Sequence, residues 1–472
     1  MSTILKQRYL LFLGLSMLLS CRNSGFLDAK YDQSLVVPET LDDLQSLLDN
    51  DILINGAGNA GIVPSMGEVA ADDYYMTNFG TLPTLMDKNL YTWDADPYAG
   101  VANVPDWNSP YRAIFYANLV LDGLDGIAHS AEQLGQYQEI KGTALFTRGH
   151  LFYQLLQVFA PPYAPAADMQ APGIVLRLGS DVGEHIQRSS IQACYEQVLA
   201  DLNAAVDLLP VEQPYKTRPS KAAALALLAR VHLTMQNYPE ALRCADECLQ
   251  LPVALLDYNL VDPSKTYPFT RFNQEVIYHS ILIRASHLLV SRAIVDSVLY
   301  ESFADNDLRK ILYFKPSSGG RPGHSFNGSY DGTVSLFAGL TTAETYLIRA
   351  EAYARTGQLN PALQDINELR RHRVVAGSYI PVTANATTEI LDSILTERRK
   401  ELLFRGTRWP DLRRLNQDQD HAKPLQRIID DKLYSLPPHS LNYTFPIPDN
   451  VIQFSPGMPQ NPREDIHITN EQ

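Results

Sequence analysis

Two stretches decide the fold: Ser220–Gln250, SKAAALALLARVHLTMQNYPEALRCADECLQ, and Ala343–Arg373, AETYLIRAEAYARTGQLNPALQDINELRRHR. Each reads as two amphipathic helices joined by a tight turn. In the first, Ala229 and Ala241 stand 12 residues apart, a spacing that lets two helices approach closely at small side chains. Ala350 and Ala362 repeat that spacing in the second. Tyr238-Pro239-Glu240 is expected to make the first turn, and Gly357 with Asn360-Pro361 the second. Such hairpins resemble tetratricopeptide units, whose repeat is about 34 residues long. These two lie 121 residues apart, so long insertions separate them. A repeat scaffold fixes a shape and not a chemistry.

Outward from the hairpins, helix signals continue. Leu41, Leu44, Leu47 and Leu48 form an apolar face behind Thr40 as cap. Further helices are expected over 111–121, over 131–159 before Pro161-Pro162, and over 191–209 before Pro210. The intervening stretches 54–110, 161–189, 252–275 and 313–340 are rich in Pro, Gly and Tyr and read as loops, with a short strand expected within 275–283. The fold class is therefore all-α, about four helix pairs with long loop excursions.

The N-terminus, MSTILKQRYLLFLGLSMLLSC, carries Lys6 and Arg8 ahead of an apolar run from Tyr9 to Leu19. That run is shorter than the roughly 20 residues a membrane span needs, so it reads as an export signal. It stops at Leu18-Leu19-Ser20-Cys21, which resembles the lipobox of bacterial lipoproteins and makes Cys21 the lipidated first residue of the mature chain. Two or more acyl chains would then anchor the protein stably. Arg22-Asn23-Ser24 stand where surface-exported lipoproteins often carry acids, and the outer leaflet is still the expected location.

Without residues 1–20 the chain keeps 37 Lys+Arg against 53 Asp+Glu, a net charge of −16. That balance argues against nucleic acid and anionic lipid as partners. Cys194, Cys244 and Cys248 remain, an odd number that does not make a disulfide framework. They are expected to be small core residues, and His232 to be packed rather than ligating. No phosphate loop, zinc signature or nucleophile elbow occurs, so no cofactor, metal or catalytic residue is expected. Asp72-Asp73 is the nearest approach to a glycosidase pair, but adjacent carboxyls rarely flank one sugar bond.

The sharpest motifs lie near the C-terminus. ILTERRKELLFRGTRWPDLRRLN, residues 394–416, resembles the SusD/RagB family in Glu397, Arg398, Arg399, Glu401, Leu402, Gly406, Arg408, Asp411 and Leu412. Arg405 departs from the family, which usually has an acid there. The closing FPIPDNVIQFSPGMPQNP matches in Pro446, Pro448, Asn450, Gln460, Asn461 and Pro462. Upstream, Trp107, Tyr111, Ile114, Ala117 and Asn118 match the family's early helix, and Phe26-Leu27-Asp28 its opening. The resemblance divides the chain into a signal peptide over 1–20 and one domain over 21–472, with an N-terminal part to about 270 and a C-terminal part from about 271. It implies a non-catalytic outer-membrane lipoprotein. Such a protein captures oligosaccharide, glycopeptide or related nutrient for a SusC-like TonB-dependent transporter. An adaptor that assembles other outer-membrane proteins and a surface glycan hydrolase are the alternatives. The ERRKEL helix itself is expected to tie the last helix to the scaffold, because arginine forks hold carboxylates in fixed geometry.

Sugar rings offer flat C–H faces to aromatics and hydroxyls to carboxylates, amides and arginine. The densest such mixture runs from ADDYYMTNFG to KNLYTWDADPY. Asp73, Tyr74, Tyr75, Asn78, Tyr91 and Trp93 are the candidate ligand contacts, with Tyr75 and Trp93 as stacking platforms and Asp73 and Asn78 as hydroxyl partners. Asp72, Asp94 and Tyr98 belong to the same stretch. Arg321 and Tyr330, in the Gly-rich 317–332 loop, are candidates for a facing wall. Trp107 and Tyr111 sit on a helix and are expected to pack.

Overall fold

The computed structural model describes residues 38–164 and 168–470. Cys21 and Phe26-Leu27-Asp28 lie outside the described residues.

Ten helices carry the architecture: α1 (Leu41–Leu48), α2 (Pro105–Gly126), α3 (Leu134–Phe159), α4 (Ile191–Leu208), α5 (Lys221–Thr234), α6 (Tyr238–Leu249), α7 (Thr342–Arg355), α8 (Leu359–Arg371), α9 (Thr387–Glu401) and α10 (Arg408–Leu415). Neighbours in sequence pack as neighbours in space from α2 to α6, and α7 then packs on α6 across a long insertion. Ser190, Ser220 and Thr341 cap α4, α5 and α7 by accepting the backbone N–H three residues on. Every residue of α5 after Lys221 is buried, as expected of a helix apolar on all sides. Leu41–Gln472 forms one compact unit.

Both hairpins form, and Ala229, Ala241, Ala350 and Ala362 are fully buried where the paired helices meet. The first turn falls earlier than expected, and the second is confined to the early part of its expected stretch. Tyr238 and Pro239 open α6, and Asn360 and Pro361 sit in the first turn of α8. Proline suits a helix's first turn because no N–H is needed there. The first hairpin reverses instead at Gln236, and the second at Gly357 as expected; the two take the left-handed conformation with φ of 57° and 78°.

Buried charge ties the hairpins to later segments. Arg230 of α5 reaches Glu344 of α7 at 2.5 Å, and Arg414 of α10 reaches Glu351 at 2.6 Å. Deeper still, Arg373 pairs with both Glu275 and Glu401 at 2.8 Å, and Arg309 pairs with Glu401 at 3.0 Å. Burial pushes the Glu401 carboxyl up, but Arg373 and Arg309 outweigh it and hold the group down at about 2. Arg405, the departure from the family pattern, lies 4.1 Å above the Tyr330 ring inside this core.

The expected strand in 275–283 forms as Val276–Tyr278 and pairs antiparallel with Leu340–Thr341. Four further small sheets occur among the described residues, and two of them shape the site. Tyr74–Tyr75 pairs antiparallel with Ile294–Val295. Leu425–Ile429 and Lys432–Leu436 form a hairpin turned by Asp430 and Asp431, both at positive φ, and His467–Asn470 adds a third strand. Two aspartates tolerate that conformation without glycine, which is why the turn lacks the usual Asn-Gly signal. The closing segment is pinned at the end of α3: Asn461 donates to the carbonyls of Phe159 and Phe445, and Gln460 pairs with both backbone groups of Ile447.

Candidate functional site

A cleft of about 540 Å³ opens between the 71–76 segment, the start of the helix after Asp296, α9 and the 425–429 strand. Its walls include Asp72, Tyr75, Ser297, Val298, Arg399, Lys423, Gln426 and Ile428. The pairing of Tyr74–Tyr75 with Ile294–Val295 brings the first loop against the second, and Asp296 donates its backbone N–H to the Asp73 carbonyl at 2.9 Å. The strand from Leu425 alternates, so Gln426 and Ile428 face out while Arg427 faces in.

Charge organises the floor. Arg408 forks onto Asp72 with bonds of 2.7 and 3.0 Å, and Lys423 donates to the same carboxylate at 2.7 Å. Arg399 donates to Asp73 at 2.9 Å and approaches Asp72 at 3.4 Å. Burial pushes the Asp72 carboxyl up, yet Arg408 and Arg399 hold it well below the usual carboxylate range. Asp73 is raised by its burial, which the same arginines only partly offset. Beneath it Glu68, also raised well above the ordinary range by burial, accepts from the Gly406 N–H. Asp73 is buried, and Asp72 is paired with Arg408 and Lys423.

The sequence candidates divide sharply. Tyr74, Tyr75, Tyr91 and Trp93 do come together along this cleft, but three of them are buried. The Arg427 guanidinium lies 3.7 Å from the Tyr91 ring centre, 4.5 Å from Trp93 and 5.7 Å from Tyr74. It donates to the carbonyls of Val69, Ala71 and Tyr91, so the loop is wrapped around a fixed cation. Trp93 also donates its indole N–H to the Ala70 carbonyl at 2.8 Å and is 2% exposed. The expectation that Trp93 presents a stacking face is corrected: that face is occupied from within. Tyr75 differs. It is half-buried on the cleft wall, and its side chain makes no hydrogen bond and no ring stack among the described residues.

Asp73 cannot serve as a direct hydroxyl partner, because it is 1% exposed and bonded to Arg399. Asn78 is half-buried and lies off the cleft wall. Tyr330 is fully buried; its hydroxyl meets that of Tyr258 at 2.6 Å and donates to Glu275 at 2.9 Å, which makes it core. Arg321 is spent on the carbonyls of Ser318, Val290 and Arg292. Its loop does reach the cleft's edge: a Cβ on Gly323 would stand 3.3 Å from the Tyr75 hydroxyl. Tyr98, from the same stretch, is buried with its hydroxyl on the Pro446 carbonyl.

Arg399, Lys423, Gln426, Asp296 and Val298 were not among the sequence candidates. Arg399 was legible in ERRKEL, whose other charges do tie the scaffold: Arg398 to Asp411 at 2.8 Å and Glu397 to Arg309 at 2.5 Å. One residue of the motif turns to the cleft instead.

A second cleft, of about 300 Å³, lies along α2 and is walled by Trp107, Tyr111, Arg112, Phe115, Arg177, Ile186 and Val451. Trp107 and Tyr111 do pack, with ring centres 4.6 Å apart and the Tyr111 hydroxyl on the Val175 carbonyl, and they face this opening as well.

Residues 25–233 match a family described as SusD-like, starch-binding and associating with the outer membrane, and residues 340–463 match the SusD family. The chain belongs to the SusD/RagB family. Among SusD-like proteins of Formosa agariphila, P2 is 24% identical over 75% of this chain and 79% of its own length. P38 is 36% identical over 28% of this chain and 27% of its own. Solved SusD-like structures share the fold. A SusD superfamily protein of Bacteroides thetaiotaomicron gives a TM-score of 0.71 at 22% identity, covering 90% of this chain and all of its own. A SusD-like carbohydrate binding protein of Bacteroides vulgatus gives 0.67 at 20% identity, covering 89% and 98%. Surface glycan-binding protein A of Bacteroides fluxus gives 0.65 at 18%, covering 90% and 100%. Among the described residues of this SusD/RagB chain, no helix is long and apolar enough to cross a membrane.

Proposed function

We propose that this protein is a non-catalytic, lipid-anchored outer-membrane protein. It captures oligosaccharide or a related nutrient in the cleft beside Tyr75 and delivers it to a SusC-like TonB-dependent transporter. The observation that carries the reading is Tyr75 itself: an aromatic ring on the wall of an open cleft, without internal partners, next to a fixed cluster of Asp72, Arg399 and Lys423. A pyranose face can lie on the ring while hydroxyls reach Gln426, Lys423 and Asp296. The relatives described as carbohydrate- and glycan-binding support this ligand class. The helix pairs form a tetratricopeptide-like scaffold that offers the transporter a broad rigid surface. Closure of the protein over the barrel as a hinged lid would hold nutrient between them. Cys21 carries the lipid, and the domain runs from there to the C-terminus.

The test is a glycan array with the purified protein, followed by calorimetry on hits and chromatography for hydrolysis products. Binding without turnover supports the reading; turnover would make the protein a hydrolase, and no binding would favour the assembly role. Co-purification of a TonB-dependent β-barrel in mild detergent, and release of the Cys21→Ala variant from the membrane fraction, test the partner and the anchor.

A further inference from the structure

The three cysteines of the described chain are buried, but they are not alike. Cys194 donates its thiol to the carbonyls of Ile174 and Ser189, and Cys248 donates to Ala222. Cys244 has no carbonyl acceptor among the described residues; its sulfur instead receives the Arg243 guanidinium at 3.4 Å. The hairpin turn brings two further donors to it. His232 lies in the last turn of α5, while Glu240 and Cys244, four apart, share one face of α6. One donor atom from each of the three lies within 4.8 Å of the others. The His232 imidazole is 7% exposed and makes no hydrogen bond, and its Nδ1 is buried without a partner. A buried polar group left unpaired is costly, so one that persists needs a partner.

We propose that His232, Glu240 and Cys244 form a site for a thiophilic divalent cation, zinc above all, clamping the α5–α6 turn. Nitrogen, carboxylate oxygen and sulfur are the zinc donor set, and three protein ligands leave the fourth position to water. The hard cations calcium and magnesium would not choose this set. The Cys244 thiol releases its proton to solvent as the sulfur–metal bond forms. In the metal-free state Arg243 holds the place of the cation, donating to Glu240 at 2.9 Å and Glu247 at 2.7 Å besides the sulfur. Metal binding displaces that guanidinium. The exposed Glu240 side chain then swings in to close the distances to the roughly 3.5 Å between ligands that tetrahedral zinc requires.

The experiment is a cobalt titration of the full reduced chain in detergent, read by absorption, with zinc competition and metal analysis after dialysis. One equivalent should bind, with a thiolate-to-cobalt charge-transfer band that zinc bleaches. Cys244→Ser should abolish the band. Glu240→Gln and Arg243→Ala lie at the surface and should fold normally. The first should weaken binding by about ten-fold, and the second should tighten it, because the competing cation is gone. A titration without the band, a band retained in Cys244→Ser, or Arg243→Ala binding no tighter than the parent chain would overturn the proposal.

Discussion

The two clefts treat their aromatic residues in opposite ways. The first is built from a loop so rich in tyrosine, tryptophan and acid that it reads as a sugar-binding surface. Most of those aromatics are instead sealed around Arg427, which arrives from more than 330 residues away in sequence. The second lies along α2, where Trp107 and Tyr111 pack as expected while half-buried Tyr111 and Phe115 also wall an open space. The physical difference is a cation. An aromatic ring is available to a ligand only if no internal group has claimed its face. A guanidinium that also satisfies three backbone carbonyls is a strong claimant.

The largest effect that can break this comparison is at Trp93. Trp93→Ala removes a buried ring with its indole bond and Arg427 contact, and should cost about 3–5 kcal/mol of stability. Urea or thermal melting checks it. If the variant melts like the parent while losing glycan affinity, the ring is a binding platform after all and the caged reading is wrong.

Tyr75→Ala should act in the opposite sense. Affinity for an array-identified glycan should fall about ten-fold, or about 1.4 kcal/mol, at nearly unchanged melting temperature. Calorimetry decides; unchanged affinity would move the site away from this wall.

Acid separates the clefts next. The Asp72 carboxyl is held below its ordinary 3.8, so its ion pairs contribute stability that is present above that value. That stability is lost as pH falls below 3.8 through the folded value. Asp73, raised by burial, regains its proton first and at less cost. Glycan affinity should therefore hold on acidification through the ordinary carboxylate range and fall only below it, as pH passes through the lowered Asp72 value, and Asp72→Asn should flatten that dependence. A profile unaltered by the substitution would show that the cluster does not shape the binding wall.

The smallest effect is at Phe115, on the second cleft. Phe115→Ala should cost no more than about 1 kcal/mol and leave glycan affinity unchanged. A clear loss of affinity would transfer the ligand to α2.

Sequence alone determined the helices and their order, since periodicity and caps are local and burial of one face enforces them. The small-residue crossings at Ala229, Ala241, Ala350 and Ala362 were legible for the same reason. So was the family, from a motif in which Glu397, Arg398, Glu401, Asp411, Gln460 and Asn461 each prove to hold a partner in the fold. Only the tertiary structure decided which side chains face a ligand. Trp93 and Tyr330 became core, Tyr75 stayed on a wall, and Arg399 left its motif for the cleft. That choice depends on which distant group reaches a ring or carboxylate first: Arg427 for the aromatics, Arg408 and Lys423 for Asp72. No local pattern encodes it, because the competing partners meet only when the chain has folded.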